Sequence, residues 1–189
     1  MKSLSVLAVI VFSTLAVFTP AWADDNIGGL VRDFNASNLK LLKSLLEFDK
    51  MRAKARVESI DDTKVIYQRL QGLKKGMSGY KEKEVVAASN DLMLAMEGIA
   101  GLVGVFAPKS YNKEINPVVF GQAKGKALPK KPTALQGRLI KAGEMGFDNL
   151  MKEVYMVIAE DRKALERELA VIQAKIDVVD KELKKLEKK

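Results

Sequence analysis

The sequence predicts an all-α protein: an elongated helical bundle with long N- and C-terminal helices paired antiparallel in a coiled-coil-like manner, a shorter glycine-containing middle helix, and a Pro/Lys-rich loop. Three observations predict it. After residue 23, prolines occur only at 108, 117, 129 and 132, so both flanks of one window lack the residue that most strongly breaks helices. Those flanks are rich in Leu, Lys, Glu, Ala and Met, all good helix formers. Their apolar residues recur at steps of three and four, the period of one helix face.

The chain opens with what reads as a secretory signal in residues 1–23. Lys2 gives a short basic region, an apolar run follows from Leu4 to Phe18, and Pro20, Ala21, Trp22 and Ala23 supply a small-x-small cleavage pattern before Asp24. The run is about 15 residues, short of the roughly 20 that a membrane-spanning helix needs. Cleavage after Ala23 is therefore expected, with the protein exported to the periplasm or beyond. Residues 24–189 then form one helical domain.

Within it, residues 24–80 read as the first long helical segment. Ile27, Val31, Phe34, Leu41, Leu45 and Phe48 draw a stripe that Leu30, Leu42 and Leu46 broaden. Ser59 and Asp62 resemble a helix cap before Val65, Ile66, Leu70 and Leu73. The chain either breaks there into two helices or continues as one; since no Gly or Pro forces a break at that point, residues 27–76 are expected as one continuous or merely kinked helix.

Residues 81–107 form the apolar middle helix, where Gly98, Gly101 and Gly104 lie three apart. Two readings compete for it. It is either buried between the long helices, the glycines allowing close approach, or it is an apolar tip for a membrane or partner. The tip would use Gly101, Leu102, Val103, Val105 and Phe106, extended by Val118, Val119 and Phe120.

Residues 108–132 are expected as a basic loop, in which Lys109, Lys113, Lys124, Lys126, Lys130 and Lys131 face one acid, Glu114. It reads either as a lysine-solubilised linker or as an arm for an anionic surface.

The final helix is expected over 133–189. Thr133, Ala134, Leu135 and Gln136 spell a capping box. Leu165, Leu169, Ile172, Ile176, Val179, Leu183 and Leu186 then alternate steps of four and three, a coiled-coil seam. Asp177 with Lys181 and Asp180 with Lys184 would add i, i+4 ion pairs. The antiparallel pairing is expected to set Lys50, Arg52, Lys54 and Arg56 beside Glu160, Asp161, Glu166 and Glu168, with residue 54 near residue 161.

Composition excludes much chemistry. The chain has no histidine and no cysteine, which removes imidazole bases, thiol nucleophiles, iron–sulfur clusters and zinc or copper sites of the usual kind. No calcium-loop or phosphate-loop pattern occurs. The S-x-x-K spacing at Ser37, Ser78 and Ser110 is frequent by chance in so lysine-rich a chain, and the companion motifs of Ser–Lys enzymes are absent. Few, scattered aromatics argue against a sugar- or base-stacking platform.

No catalytic residue, metal ligand or cofactor is expected, and nucleic acid is not an expected partner. The expected function is that of an exported, non-enzymatic scaffold or adaptor of the cell envelope acting through protein–protein contacts, as an accessory component of a secretion or surface assembly. Self-association through the C-terminal helix and peripheral membrane contact fit the same pattern. The alternatives are a membrane- or lipid-surface-binding helical protein and a periplasmic holdase chaperone.

Overall fold

A computed structural model describes residues 25–80 and 82–188. The expected signal in residues 1–23 lies outside the described residues. Among those described the protein is all-α. Helix α1 spans Asp25–Met77, α2 Lys83–Val103, a π-helical turn Tyr111–Ile115, α3 Asn116–Lys124, α4 Ala134–Glu144 and α5 Phe147–Glu187.

The first segment is one 53-residue helix. Ser59, read from sequence as part of a cap, sits inside it with its hydroxyl donating to the Val103 carbonyl at the end of α2 (2.5 Å). One turn on, Thr63 donates back to the Ser59 carbonyl (2.8 Å). Both hydroxyls are thus satisfied, Ser59 outside its own helix and Thr63 by sharing a helix carbonyl one turn back.

The window expected as a basic loop needs correction. Pro117 occupies the first turn of α3, where a missing N–H is harmless and the fixed φ favours helix. Val118, Val119 and Phe120 are fully buried, so they belong to the core and not to an exposed tip. The helix ends at Gly125, whose φ of 65° lies in the left-handed region that glycine tolerates best. The Pro/Lys-rich loop is the shorter stretch from 125 to 133.

The C-terminal segment is also two helices, not one. Its capping box is present: Thr133 Oγ1 accepts from the Gln136 amide (3.2 Å), and Gln136 Oε1 accepts from the Thr133 amide (3.1 Å). The chain then breaks at Met145 and Gly146, the latter with φ 127°. Beyond the break, α5 keeps the expected seam, with Leu165, Ile172, Ile176 and Val179 buried.

The chain divides into two compact units. In the unit of residues 45–177, Ile60, Tyr67 and Leu70 of α1 pack with Met93 and Ala100 of α2. Tyr111, Ile115 and Phe120, Leu139 of α4, and Leu150, Met151 and Val154 of α5 complete that core. A second, small cluster joins Ala53, Ile172 and Ile176, with Leu46 and Leu169 beside it.

Helices α1 and α5 run antiparallel here. Lys50 meets Gln173, Arg56 pairs with Glu168 (3.5 Å), and Asp61 pairs with Arg162 (3.0 Å). The expected Arg56 and Glu168 do meet, but the register as a whole differs. These pairs place residue 54 opposite the region of 169, about two turns along α5 from residue 161.

In the other unit, described over 25–44 and 178–188, Lys43 pairs with Asp180 (2.7 Å). Arg32, Ala36 and Lys40 share a cleft with Leu183 and Leu186, so the helices run antiparallel there too. Asp180 is thus paired with the facing helix, and Asp177 accepts from Gln173 (2.7 Å).

Candidate docking surface

Only one line of α2 is covered. Met93, Met96 and Ala100, at steps of three and four, are buried. Much of the rest of the helix is open: Leu92 is 52% exposed, Leu94 58%, Ile99 50% and Leu102 72%. In the turn that follows, Val105 is 71% and Phe106 66% exposed. The helix is long and apolar enough to cross a membrane, yet little of it is buried. A core helix of such composition is mostly covered, so the reading that buried α2 between the long helices is corrected.

The glycines confirm the point locally. A Cβ at Gly98 or Gly101 would meet nothing within 4 Å, so no helix approaches there. Gly104 differs: a Cβ would lie well under 3.0 Å from the Asn112 side chain. Close approach is needed at one glycine of the three.

What holds α2 in place is a chain of hydrogen bonds at its C-terminal end. Asn112 Nδ2 donates to the Gly101 carbonyl (3.0 Å), and Asn116 Nδ2 donates to Asn112 Oδ1 (2.9 Å). The buried Tyr67 hydroxyl donates to Asn116 Oδ1. With the Ser59–Val103 bond, these tie α2, the π-turn and α1 together where orphan carbonyls at a helix end need partners.

The Tyr67 phenol is pushed well up by burial. Tyr111, also fully buried, has a hydroxyl with no partner at hydrogen-bonding geometry. Burial pushes its pKa up, and the nearby Asp161 charge adds to that.

The predicted tip residues divide. Leu102, Val105 and Phe106 are exposed, Gly101 is partly so, and Val103 packs against the core. The predicted lysines divide too. Lys109, Lys113, Lys126, Lys130 and Lys131 are exposed, and none makes a side-chain ion pair or hydrogen bond among the described residues. Lys124 does not belong to a free arm: its side chain is only 6% exposed and pairs with Glu97 of α2. Its ammonium is held below the usual lysine range by burial, and then by Lys126. Lys126 shares a shallow cleft with Asn90, Asp91 and Leu94, which brings a free cation to the edge of the apolar face.

The N-terminal stripe is corrected as well. In the larger unit, Leu45 is 55%, Phe48 54% and Met51 61% exposed; in the smaller, Phe34 is 67% and Leu41 61% exposed. The positions turned inward in α1 include Leu39 and Lys43, then Leu46, Lys50 and Ala53, a line beside the expected apolar stripe.

Among the described residues, no group of three or more acidic side chains gathers as metal ligands would. Of the S-x-x-K serines, Ser78 donates to the Lys75 carbonyl (2.8 Å) and its Lys81 lies outside the described residues, while neither Ser37 nor Ser110 bonds Lys40 or Lys113 through its side chain.

These features define an all-α protein with an uncovered apolar helix beside free lysines. The chain matches no protein-family model, no curated protein and no solved structure.

Proposed function

We propose that the protein is an exported, non-enzymatic helical scaffold or adaptor of the cell envelope, an accessory component of a secretion or surface assembly that docks through the open face of α2. The observation that supports this is the exposure of Leu94, Ile99, Leu102, Val105 and Phe106, each at least 50% accessible. Full burial of such a side chain is worth about 1.5–3 kcal/mol. Soluble monomers rarely leave large contiguous apolar patches to water. The rigid polar tie at the end of α2 favours a fixed docking surface over a collapsing one.

The test is photocrosslinking in the native cell from benzoylphenylalanine placed at Leu102, with Arg167, exposed on α5, as control. One dominant adduct from position 102 and none from 167 supports the adaptor. A ladder of unrelated polypeptides would replace it with the holdase chaperone. No adduct at 102 of any kind would remove α2 as the working surface.

A further inference from the structure

We infer that the occupant of the open α2 face is an anionic lipid surface, which α2 meets lying in the plane of the membrane. This rests on the reading above that the α2 face is the working surface, and it names what that face contacts.

The argument is one of paired chemistries. A bilayer interface offers acyl chains within a few ångströms of phosphates, and an interfacial helix answers with an apolar face edged by Lys or Arg. Helix α2 has that form. Leu92, Ile99 and Leu102 lie on its open side, and Val105 and Phe106 continue past its end.

One cation borders this face, and others follow it along the chain. Lys126 borders Leu94 across the shallow cleft. Lys109 follows Phe106 by three residues, and Lys113 is next to Asn112, which bonds the Gly101 carbonyl. Lys130 and Lys131 are exposed on the loop that follows. Between 104 and 132 the one acid is Glu114, and it is engaged by the Thr133 hydroxyl (2.7 Å). Glu97, the acid nearest the middle of the apolar run, is neutralised by Lys124. Glu97 and Glu114 are therefore engaged, Asp91 of α2 shares the cleft of Lys126, and five lysines of the following segment stand exposed beside this smaller number of acids.

A protein partner would also cover apolar residues, but a set of five unpaired lysines with no geometric fork suits a diffuse sheet of phosphates better than a shaped pocket. Open glycines at 98 and 101 keep the face low between its leucines, as a flat surface requires.

The experiment exploits the absence of cysteine. Leu102→Cys, Phe106→Cys and, as control, Arg167→Cys are made in the full chain, purified after processing by the host and labelled with a nitrobenzoxadiazole dye. Vesicles of phosphatidylcholine alone are compared with vesicles containing about a third phosphatidylglycerol. The expected result is a several-fold emission rise at 102 and 106 with the anionic vesicles only, reversed by high salt, and no change at 167. Each of Lys109→Gln, Lys126→Gln, Lys130→Gln and Lys131→Gln should weaken partitioning about fivefold, the equivalent of about 1 kcal/mol per lysine near an anionic surface.

Equal response to neutral vesicles, an equal rise at 167, or no response at 102 and 106 would each overturn the inference. If vesicles are inert while the Leu102 photocrosslink captures one protein, the lipid inference falls and the adaptor reading stands. If both fail, the α2 face is not the working surface.

Discussion

The side chain of Asn112 fills the space that a Cβ on Gly104 would need, and it is held there by bonds to the Gly101 carbonyl and from Asn116. A methyl at 104 must push Asn112 out and break a buried polar chain, so Gly104→Ala should cost about 1–3 kcal/mol. Gly98→Ala, in open space on the same helix, should instead stabilise by roughly 0.5–1 kcal/mol through helix propensity. Urea unfolding followed by circular dichroism separates the two; equal effects would contradict the difference in packing.

Alkaline pH should destabilise the protein through Tyr67 and Tyr111. Burial raises both phenols above their ordinary value, Asp161 adding to the effect at Tyr111. The folded chain then holds these protons more tightly than the unfolded chain does. Their contribution is fully present below the unfolded pKa of about 10 and is lost as pH rises past it. Phenolate absorbance from the two should therefore appear together with loss of helical signal. Tyr67→Phe should flatten this alkaline fall, while losing about 1–3 kcal/mol at neutral pH because Asn116 is left short of a donor.

Asp161 should behave in the opposite sense to a paired carboxylate. Burial raises its pKa; the Tyr111 hydroxyl opposes this, Glu160 adds to it, and Arg56 opposes it. A raised carboxylate binds its proton more tightly when folded, so it disfavours folding at neutral pH and stops doing so as pH falls through the folded value. Asp161→Asn should accordingly raise the melting temperature at neutral pH, with the advantage shrinking in acid. A variant less stable than the parent at neutral pH would show that burial is not the dominant influence.

The open face should tolerate polar residues. Leu102→Gln and Phe106→Gln are expected within about 0.5 kcal/mol of the parent in stability, yet they should lower the emission of an anilinonaphthalene sulfonate dye bound to the native protein. Met93→Ala, on the buried line of the same helix, should cost about 2–5 kcal/mol. A large loss of stability at 102 would mean that this face is packed.

The break between α4 and α5 should be specific to glycine. Gly146 has a φ of 127°, a conformation that costs a residue with a Cβ about 1–3 kcal/mol. Gly146→Ala should lower stability by that amount in thermal melts. Arg138 and Glu153, which pair across the break, would limit how far it can straighten.

Local rules decided a good part of this protein from its sequence. Step patterns at Leu165, Ile172, Ile176 and Val179 determined the α5 seam, because alternating steps of four and three put side chains on one line whatever surrounds them. The Thr133–Gln136 capping box was legible for the same reason, since both of its bonds close within four residues. The all-α class followed from the confinement of prolines to one window, whereas one helix or two over residues 27–76 stayed open until the structure showed a single α1.

Tertiary structure alone decided the rest. Pro117 reads as punctuation until a buried core places Val118, Val119 and Phe120 behind it and makes it a helix start. Lys124 looks like its neighbours until Glu97 arrives from a helix 27 positions earlier. The largest such decision concerns α2. Composition sets how apolar a helix is, but coverage depends on how much partner surface the fold supplies, and here it buries Met93, Met96 and Ala100 and leaves Leu92, Leu94, Ile99 and Leu102 exposed. The same is true of α1, where the inward line of Leu46, Lys50 and Ala53 leaves Leu45, Phe48 and Met51 facing water. Burial is a property of pairs of surfaces, and a one-dimensional pattern describes only one member of each pair.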